Sequence, residues 1–324
     1  KFVYDADGNR IKKTESKDFD FGIVNILLTS ANFPISKPTA IDSDTAGNVY
    51  FVSGDTNSGA VYKCNSELTL CSVLINTLKY ATALAVDRLT GDVIVNTKIN
   101  AGDANHVIYR INKDTGAILN TYSTGKDVIG LTSDSAGWIY TGTSDGILDI
   151  FKDSNHRIKL VESGAQIYSI DLDSSGNIYV VTGSGTNKII KINPTTLNIL
   201  KTYGTSAASC TYNNFPRGIS VSSGGNVYVV DSTGQRLYKL DPSLQGYKLE
   251  IFGTCLTSGT DTDPNRLKNP SGVKSNANGV YVADTDNNRI LKFNSAKKGY
   301  ITRYLNGGDV EYQENAIDNA FSCV

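Results

Sequence analysis

Methionine is absent from the 324-residue chain, and histidine is scarce, with His106 and His156 as its two copies. A three-histidine zinc centre therefore cannot be assembled from this sequence. The five cysteines form no CxxC motif and no Cys/His cluster, which argues against a structural zinc site. Because the chain starts at Lys1 and contains no methionine, we expect a mature or trimmed product whose targeting segment is absent.

Charge imbalance and long apolar runs are missing as well. The chain has 31 Lys and Arg against 32 Asp and Glu, a formal net charge of −1. This balance provides no overall attraction to nucleic acid or to an anionic membrane. No apolar run approaches the ~20 residues that cross a bilayer. We therefore expect neither a membrane span nor a nucleic-acid partner.

What the sequence does contain is a repeat. Six phrases with alternating β-branched or aromatic residues recur along it: GNVYFV (47–52), GDVIVN (91–96), GWIYTG (137–142), GNIYVV (176–181), GNVYVV (225–230) and NGVYVA (278–283). Each is typical of a strand. An apolar segment precedes most of these phrases, and two further alternating segments follow most of them. Gly, Asn, Asp and Ser mark the turns between them. Each unit is thus predicted to hold four short antiparallel strands, A to D.

The spacing of the units indicates a β-propeller. The anchor residues of strand B are separated by 44, 46, 39, 49 and 53 residues; they are Tyr50, Ile94, Tyr140, Tyr179, Tyr228 and Tyr281. Four-stranded units of about 40–50 residues are typical of propeller blades. We predict an all-β chain in which residues 1–324 form a single propeller domain.

The two ends of the chain bear on the number of blades. FVYDADGNRIKKTES (2–16) aligns without a gap with YVADTDNNRILKFNS (281–295), so the chain begins at strand B of a blade. The tail NAFSCV resembles KNPSGV, which precedes a strand A. We therefore predict seven blades, with N-terminal strands B, C and D completed by a C-terminal strand A. Six blades are the alternative, if the N-terminal strands decorate the outside or the tail cannot complete the ring.

The segment PSGVKSNANGVYVADTDNNRILKF (270–293) closely resembles the NHL-repeat consensus, and residues 216–240 are a second good match. The resemblance covers nearly the whole chain, although residues 129–161 have drifted. NHL-type propellers include RNA-binding modules, extracellular protein-binding modules and lyases, so the resemblance implies a fold without selecting an activity. Streptogramin lyases are seven-bladed relatives, but their Glu and His arrangement has no counterpart in this sequence.

Three long segments are predicted to stand side by side on the face where the B–C and D–A connections emerge. They are residues 204–217, 253–271 and 306–323, and long loops on a rigid scaffold commonly bind ligands. We predict a ligand-binding face formed by Tyr212, Asn213, Asn214, Arg217, Asp261, Asp263, Arg266 and Tyr312. The alternative is that these loops merely cap a wide channel. Their mixed to acidic charge disfavours RNA.

The cysteines indicate an oxidising compartment. Cys64 and Cys71 flank a predicted C–D hairpin and form our first predicted disulfide, and Cys210–Cys255 is the second. Cys323 is left over: it can compete for either loop cysteine, remain free or bond to another chain. The alternative is five reduced, buried thiols in a cytosolic propeller.

Asp-x-Asp patterns raise the question of calcium. The candidate ligands are Asp5, Asp7, Asp284 and Asp286, but Ser16 and Ser295 occupy the twelfth position where an EF-hand loop carries an acidic residue. Turn formation is the favoured interpretation, as it is for SDTAGN and LDSSGN in predicted A–B turns.

The sequence therefore predicts a secreted or surface-displayed propeller, extracellular or periplasmic, that binds a protein or a glycan without a cofactor. Self-assembly through Cys323 and the tail is a structural variant of this prediction. The alternative is a lyase or hydrolase with a metal held by Asp and Asn in the central channel.

Overall fold

The structure is a computed structural model that describes residues 35–53, 59–98, 106–204, 215–244, 248–253 and 266–293, together with five strands outside these ranges. Besides one turn of 3-10 helix at Thr285–Asn287, the regular elements are strands. In chain order they are β1 (Phe2–Tyr4), β2 (Arg10–Lys13), β3 (Ile26–Thr29), β4 (Ile41–Ser43), β5 (Val49–Ser53), β6 (Gly59–Cys64), β7 (Cys71–Leu78), β8 (Ala83–Val86), β9 (Val93–Lys98), β10 (His106–Ile111), β11 (Ile118–Ser123), β12 (Val128–Ser133), β13 (Ile139–Thr143), β14 (Ile147–Lys152), β15 (Asn155–Leu160), β16 (Gln166–Leu172), β17 (Ile178–Gly183), β18 (Ile189–Ile192), β19 (Ile199–Tyr203), β20 (Pro216–Val221), β21 (Val227–Asp231), β22 (Arg236–Leu240), β23 (Lys248–Phe252), β24 (Pro270–Asn276), β25 (Gly279–Asp284), β26 (Arg289–Phe293), β27 (Gly299–Leu305) and β28 (Asp309–Asn315).

Six four-stranded antiparallel sheets are the blades of a propeller. From the inner to the outer strand they are β4-β5-β6-β7, β8-β9-β10-β11, β12-β13-β14-β15, β16-β17-β18-β19, β20-β21-β22-β23 and β24-β25-β26-β3, here blades 1 to 6. Among the described residues, no helical segment has the length and apolar character that a bilayer crossing requires.

The predicted strand B residues form the core. Strands β5, β13, β17, β21 and β25 are buried at every position, since each lies between two neighbouring blades and loses solvent on both faces. One apolar cluster fills each gap between blades. Blade 6 meets blade 1, for example, through Tyr281 and Phe51. The outer strands β11, β15 and β19 are mostly exposed, so they contribute little to the packing between blades.

The prediction of seven blades is wrong, and the described residues form six. β3, the predicted strand D of a seventh blade, pairs with β26 and completes blade 6, with Thr29 opposite Arg289. A seventh blade has no place between blades 6 and 1, because Tyr281 and Ile290 pack directly against residues of blade 1. β1 and β2 pair with each other instead, and the predicted final strand A (319–324) lies outside the described residues.

The C-terminal segment also differs from the prediction. YITRY (300–304) follows strand C of the last complete repeat in the sequence, where the four-strand pattern predicts strand D. It lies instead in β27, which pairs with β28 in a separate two-stranded sheet. Part of the predicted long loop 306–323 is therefore strand β28. The sequence could not distinguish the two candidates, since ILLT and YITRY are equally strand-like.

The A–B turns confirm the turn chemistry expected from SDTAGN and LDSSGN. In blade 1, Asp44 Oδ1 accepts the backbone N–H of Asn48 at 2.8 Å, and its Oδ2 accepts the Tyr50 hydroxyl at 3.1 Å. Asp173 makes the same contacts in blade 4. These carboxylates thus close turns and bind the polar end of a core tyrosine.

Candidate functional site

A ring of six side chains surrounds one mouth of the central channel. In four blades the inner strand has an irregular register at one residue: Ile129, Tyr168, Arg217 or Ser271. Thr39 and Thr82 hold the same position in blades 1 and 2, five residues before the start of the A–B turn at Asp44 and Asp87. All six are half-buried, and all six line the channel cavity. We call this set the mouth ring.

The mouth ring opens into a cavity of about 200 Å³. Behind the ring, the next side chains along the inner strands form an apolar belt: Ile41, Leu84, Leu131, Ile170, Ile219 and Val273. Because every inner strand begins where a D–A connection ends, the mouth ring lies on the face that carries the long connections. The cavity therefore has a polar entrance and an apolar wall.

Glycine follows the bulged residue in three blades because neighbouring inner strands approach closely there. A Cβ at Gly218 would lie 2.7 Å from the carbonyl oxygen of Ser271, and one at Gly272 would lie 2.9 Å from that of Thr39. Backbone atoms cannot yield as a flexible side chain can. The small residue at this point thus keeps the strands together while the bulged side chain faces the channel.

Arg217 is the charged member of the mouth ring. Its guanidinium carbon lies 4.5 Å from the ring centroid of Tyr168 and 5.8 Å from that of Phe215, within the range of cation–π attraction. Among the described residues it has no carboxylate partner. Burial lowers the pKa of the Arg217 guanidinium, an effect that the Tyr168 phenol opposes.

Gly183 makes room for this stack. A Cβ at this position would lie 2.4 Å from Cε2 of Tyr168, a separation that real atoms do not adopt. The Tyr168 hydroxyl donates to Oε1 of Gln166, which fixes the other end of the ring. Glycine in strand B of blade 4 therefore helps to position a side chain of the mouth.

The opposite end of the channel carries charged side chains that form ion pairs with one another. Arg88 binds Asp171 across the channel, and Nζ of Lys274 lies 2.7 Å from Oδ1 of Asp42. Asp42 also accepts the N–H of Val86 in the next blade. Although burial raises it, Lys274, Arg88 and backbone N–H groups together hold the pKa of Asp171 below its usual range.

Two buried ion pairs hold the connections that lead to the mouth. Asp231 pairs with Arg236 and accepts the N–H of Phe215 at 2.7 Å, so the end of the D–A connection of blade 5 is bound to a B–C hairpin. Asp284 does the same in blade 6, pairing with Arg289 and accepting the N–H of Lys268 at 2.7 Å. Burial raises the pKa of Asp284, and the Arg289 guanidinium opposes this effect.

Of the predicted ligand-binding residues, Arg217 reaches the cavity. Arg266 is exposed, and its carbonyl oxygen accepts from Arg289 and from Asn287. Tyr312 lies in β28, opposite Thr302. Five others lie outside the described residues: Tyr212, Asn213, Asn214, Asp261 and Asp263.

The other predicted sites have different outcomes. Cys64 and Cys71 form a disulfide across the β6–β7 hairpin, as predicted, with Cα atoms 4.1 Å apart. Cys210, Cys255 and Cys323 lie outside the described residues, and so do the calcium candidates Asp5 and Asp7. The Asp284 carboxylate is occupied by its ion pair, and Asp286 accepts from the Asn269 side chain. No cluster of three potential metal-ligating side chains occurs within the described part of the chain.

The two histidines lie apart. His106 is buried beside Asn96 and Asp127, whereas His156 lies on strand β15, 3.3 Å from Asp149. Five mouth residues were not predicted from the sequence: Tyr168, Ser271, Thr39, Thr82 and Ile129. Aligning the six inner strands from the A–B turn backwards, instead of comparing loop lengths, would have found them.

Comparisons with known proteins support the fold. Residues 267–293 match the NHL repeat. No curated protein matches the chain by sequence. A structural genomics protein of unknown function from Bacteroides thetaiotaomicron has 16% identity and a TM-score of 0.65, over 83% of this chain and 72% of that one.

Two further solved structures have similar folds and different roles. Virginiamycin B lyase from Staphylococcus aureus, solved as a catalytically inactive variant with quinupristin, has 17% identity and a TM-score of 0.55 over 89% of this chain and 95% of its own. A chain of the mitotic checkpoint complex has 12% identity and a TM-score of 0.58, over 87% and 98%. At such identities the likeness concerns the fold alone. With an NHL repeat in blade 6 and propellers as its structural neighbours, the chain is an NHL-like β-propeller.

Proposed function

We propose that this protein is a non-enzymatic binding propeller that holds a protein or glycan partner at the face of the mouth ring. Arg217 carries the proposal: a cation within cation–π distance of two aromatic rings faces the cavity without a carboxylate partner among the described residues. Removing a cation from water is unfavourable unless another group compensates it. A bound partner is the natural source of that group.

The surroundings of the mouth suit binding. The connections before blades 5 and 6 are long, residues 204–217 and 253–271, and end at the mouth ring. Buried ion pairs anchor their ends, so the framework around the cavity is rigid. The Cys64–Cys71 disulfide favours a secreted or surface-displayed protein. Self-assembly through Cys323 and the tail remains part of the proposal.

The charge pattern favours binding over the alternative, a metal-dependent lyase or hydrolase in the channel. The acids among the described lining residues are Asp42 and Asp171, and both are bound by cations. A carboxylate held by lysine or arginine is a poor metal ligand unless the pair is broken. The described wall is therefore better suited to recognition than to metal catalysis.

A paired screen tests the proposal. Wild-type protein is immobilised and presented with a displayed random-peptide library and with a glycan array, and the selected binders are tested against Tyr168→Ala and Lys201→Ala. Lys201 is exposed on the outer strand β19, far from the mouth in the topology, and serves as the control. We expect binders that Tyr168→Ala loses and Lys201→Ala retains. The proposal would be overturned if Tyr168→Ala retained all selected binders. It would also be overturned if the protein converted a captured ligand in a reaction that requires a divalent metal.

A further inference from the structure

We propose that the mouth ring is a receptor for a single carboxylate, and that Arg217 grips an acidic side chain of a polypeptide partner through two N–H groups. This inference rests on the proposed function and names the ligand chemistry of the same face.

The two ends of the channel differ in charge compensation. At the far end, Arg88 and Lys274 are matched by Asp171 and Asp42, so that end needs no ligand. At the mouth, Arg217 is the cationic member of a ring otherwise made of two threonines, a serine, a tyrosine and an isoleucine. The mouth therefore carries one positive charge that the described wall does not neutralise. An anion that enters there gains attraction without first displacing an internal acid.

The geometry of Arg217 favours a planar anion. The rings of Tyr168 and Phe215 are inclined to each other by 58°, so the planar guanidinium can lie flat on one of them, and the Tyr168 centroid is the nearer at 4.5 Å. The edge of the guanidinium, which carries the N–H donors, is then left for the ligand. Two parallel N–H groups match the two oxygens of a carboxylate. A phosphate dianion would call for a second cation, which the mouth ring does not have.

The cavity is too small to enclose a whole ligand. Its volume of about 200 Å³ is below the roughly 300–1,000 Å³ of pockets that enclose drug-sized molecules. It suits a group that projects from a larger partner. An aspartate or glutamate side chain brings its carboxylate on one or two methylene groups, whereas a uronic acid carries it on a six-membered ring. The size thus favours a polypeptide source.

The test observes Arg217 itself in the full-length protein. Arginine is labelled with ¹³C and ¹⁵N, and the Nε–Hε signals are followed by NMR during titration with N-acetyl-glutamate N-methylamide. N-acetyl-glutamine N-methylamide is the neutral control, and Arg88 is the internal control because its partner is already in place. We expect a saturable shift of the Arg217 signal with the glutamate probe, no shift with the glutamine probe and no change at Arg88.

Variants define the contact. Arg217→Gln should weaken the glutamate probe by about tenfold or more, since it removes charge-assisted hydrogen bonds. Arg217→Lys keeps the charge but loses the planar pair of donors, so it should bind more weakly than wild type and more tightly than Arg217→Gln. Equal affinity of the lysine variant and wild type would contradict the two-donor contact. Circular dichroism of each variant verifies that it is folded.

Two further probes distinguish the sources of the anion. Methyl glucuronoside binding more tightly than the glutamate probe would overturn the polypeptide source, and methyl phosphate doing so would overturn the carboxylate. An Arg217 signal that no anion moves would refute the receptor altogether. The proposed binding function would survive that result if the selected binders still depended on Tyr168. The proposed binding function is refuted by a different result, namely that no selected binder depends on Tyr168.

Discussion

The guanidinium of Arg217 lies 4.5 Å from the ring centroid of Tyr168, and the two residues belong to the inner strands of neighbouring blades. Each residue is the irregular position of its strand, so the contact joins two blades at the channel mouth. Cation–π pairs contribute about 0.5 to 2 kcal/mol depending on how far they are removed from water, which favours one orientation of the half-buried arginine.

Gly183→Ala should disturb the mouth without removing any mouth residue. The added Cβ would lie 2.4 Å from Tyr168 Cε2, so the ring must move and its stack with Arg217 must weaken. We expect the free energy of unfolding to fall by about 1–3 kcal/mol, as measured by denaturant titration. Gly224→Ala is the matched control, because its Cβ would have neighbours no closer than 3.8 Å. Equal stability of the two variants would count against the close packing at Gly183.

Ser271→Asp should weaken the binding of an anion at the mouth ring. Ser271 is the mouth residue of blade 6, next to blade 5, and its carbonyl oxygen is within 2.7 Å of a Cβ placed at Gly218. The Ser271 hydroxyl, which donates to the carbonyl oxygen of Thr39 at 2.8 Å, belongs to a residue that lines the same cavity as Arg217. An aspartate there adds a negative charge to the mouth ring, which repels an anionic ligand and attracts the Arg217 guanidinium. We expect the glutamate probe to bind at least about tenfold more weakly in NMR titration. Ser271→Asn, which adds the same bulk without charge, should retain more binding, and loss of binding in both variants to the same degree would point to bulk instead.

Asp171→Asn should destabilise the far end of the channel in a pH-dependent manner. The substitution leaves Arg88 and Lys274 without one of their acids, and breaking a buried pair costs about 3 kcal/mol. The pKa of Asp171 is lower in the folded chain than its ordinary value of 3.8. Its ionised form therefore stabilises the fold above that pH, and the contribution disappears as the pH falls through the folded-state pKa.

Denaturant titrations at neutral and acidic pH measure this effect. The difference in unfolding free energy between wild type and Asp171→Asn should be large at pH 7 and shrink toward pH 3. Asp153→Asn is the control, since Asp153 is exposed in a left-handed turn that asparagine also tolerates. A difference that does not vary with pH would show that the lost charge is unimportant.

Asp284→Asn should destabilise blade 6 far more than Asp286→Asn. Asp284 is fully buried and accepts from Arg289, Asn287 and Lys268, so its loss removes a carboxylate that binds a buried guanidinium. The expected loss is about 3–5 kcal/mol in unfolding free energy, against about 0.5 kcal/mol or less at Asp286. Thermal unfolding with and without millimolar calcium adds a second readout. A rise in the melting temperature of wild type that Asp284→Asn abolishes would revive the calcium interpretation.

Replacing both Cys64 and Cys71 with serine should lower stability by about 2 kcal/mol. The disulfide closes a short hairpin with a sequence separation of 7 residues, so the entropy that it removes from the unfolded chain is modest. Reduction should destabilise wild type by a similar amount. Mass spectrometry of peptides without reduction should find the two cysteines linked, and free thiols at both positions would contradict the assignment.

Much of the fold was predictable because strand patterns and turn residues repeat. Tyr50 and its five equivalents marked strand B correctly, since a strand between two blades must be apolar on both faces. The number of blades was not predictable from local patterns, because the choice of β3 over YITRY as the outer strand of blade 6 depends on long-range pairing. Sequence similarity between residues 2–16 and 281–295 was mistaken for a shared role.

The site was predicted in part for a related reason. Arg217 was chosen because it ends a long connection, and it does reach the cavity. Tyr168 was treated as one more packing tyrosine, because a sequence does not reveal which residue of an inner strand is bulged. The stack that orients Arg217 depends on Gly183, which is distant in sequence from both partners. Such three-body arrangements are visible only once the blades are placed.

Because each blade contributes one residue to the mouth, the entrance is a set of six positions on a fixed frame. Exchanging Ile129 alters the lining without removing a member of an interblade cluster, whereas the Thr82 hydroxyl also accepts from the Asn96 side chain at 2.7 Å and donates to the carbonyl oxygen of Val128 in the next blade. The same scaffold can therefore be retargeted by combinatorial substitution at these six codons, with the glycines beside them left unchanged. A receptor for a cation could be designed by replacing Arg217 with an acidic residue and keeping the other five residues of the mouth ring.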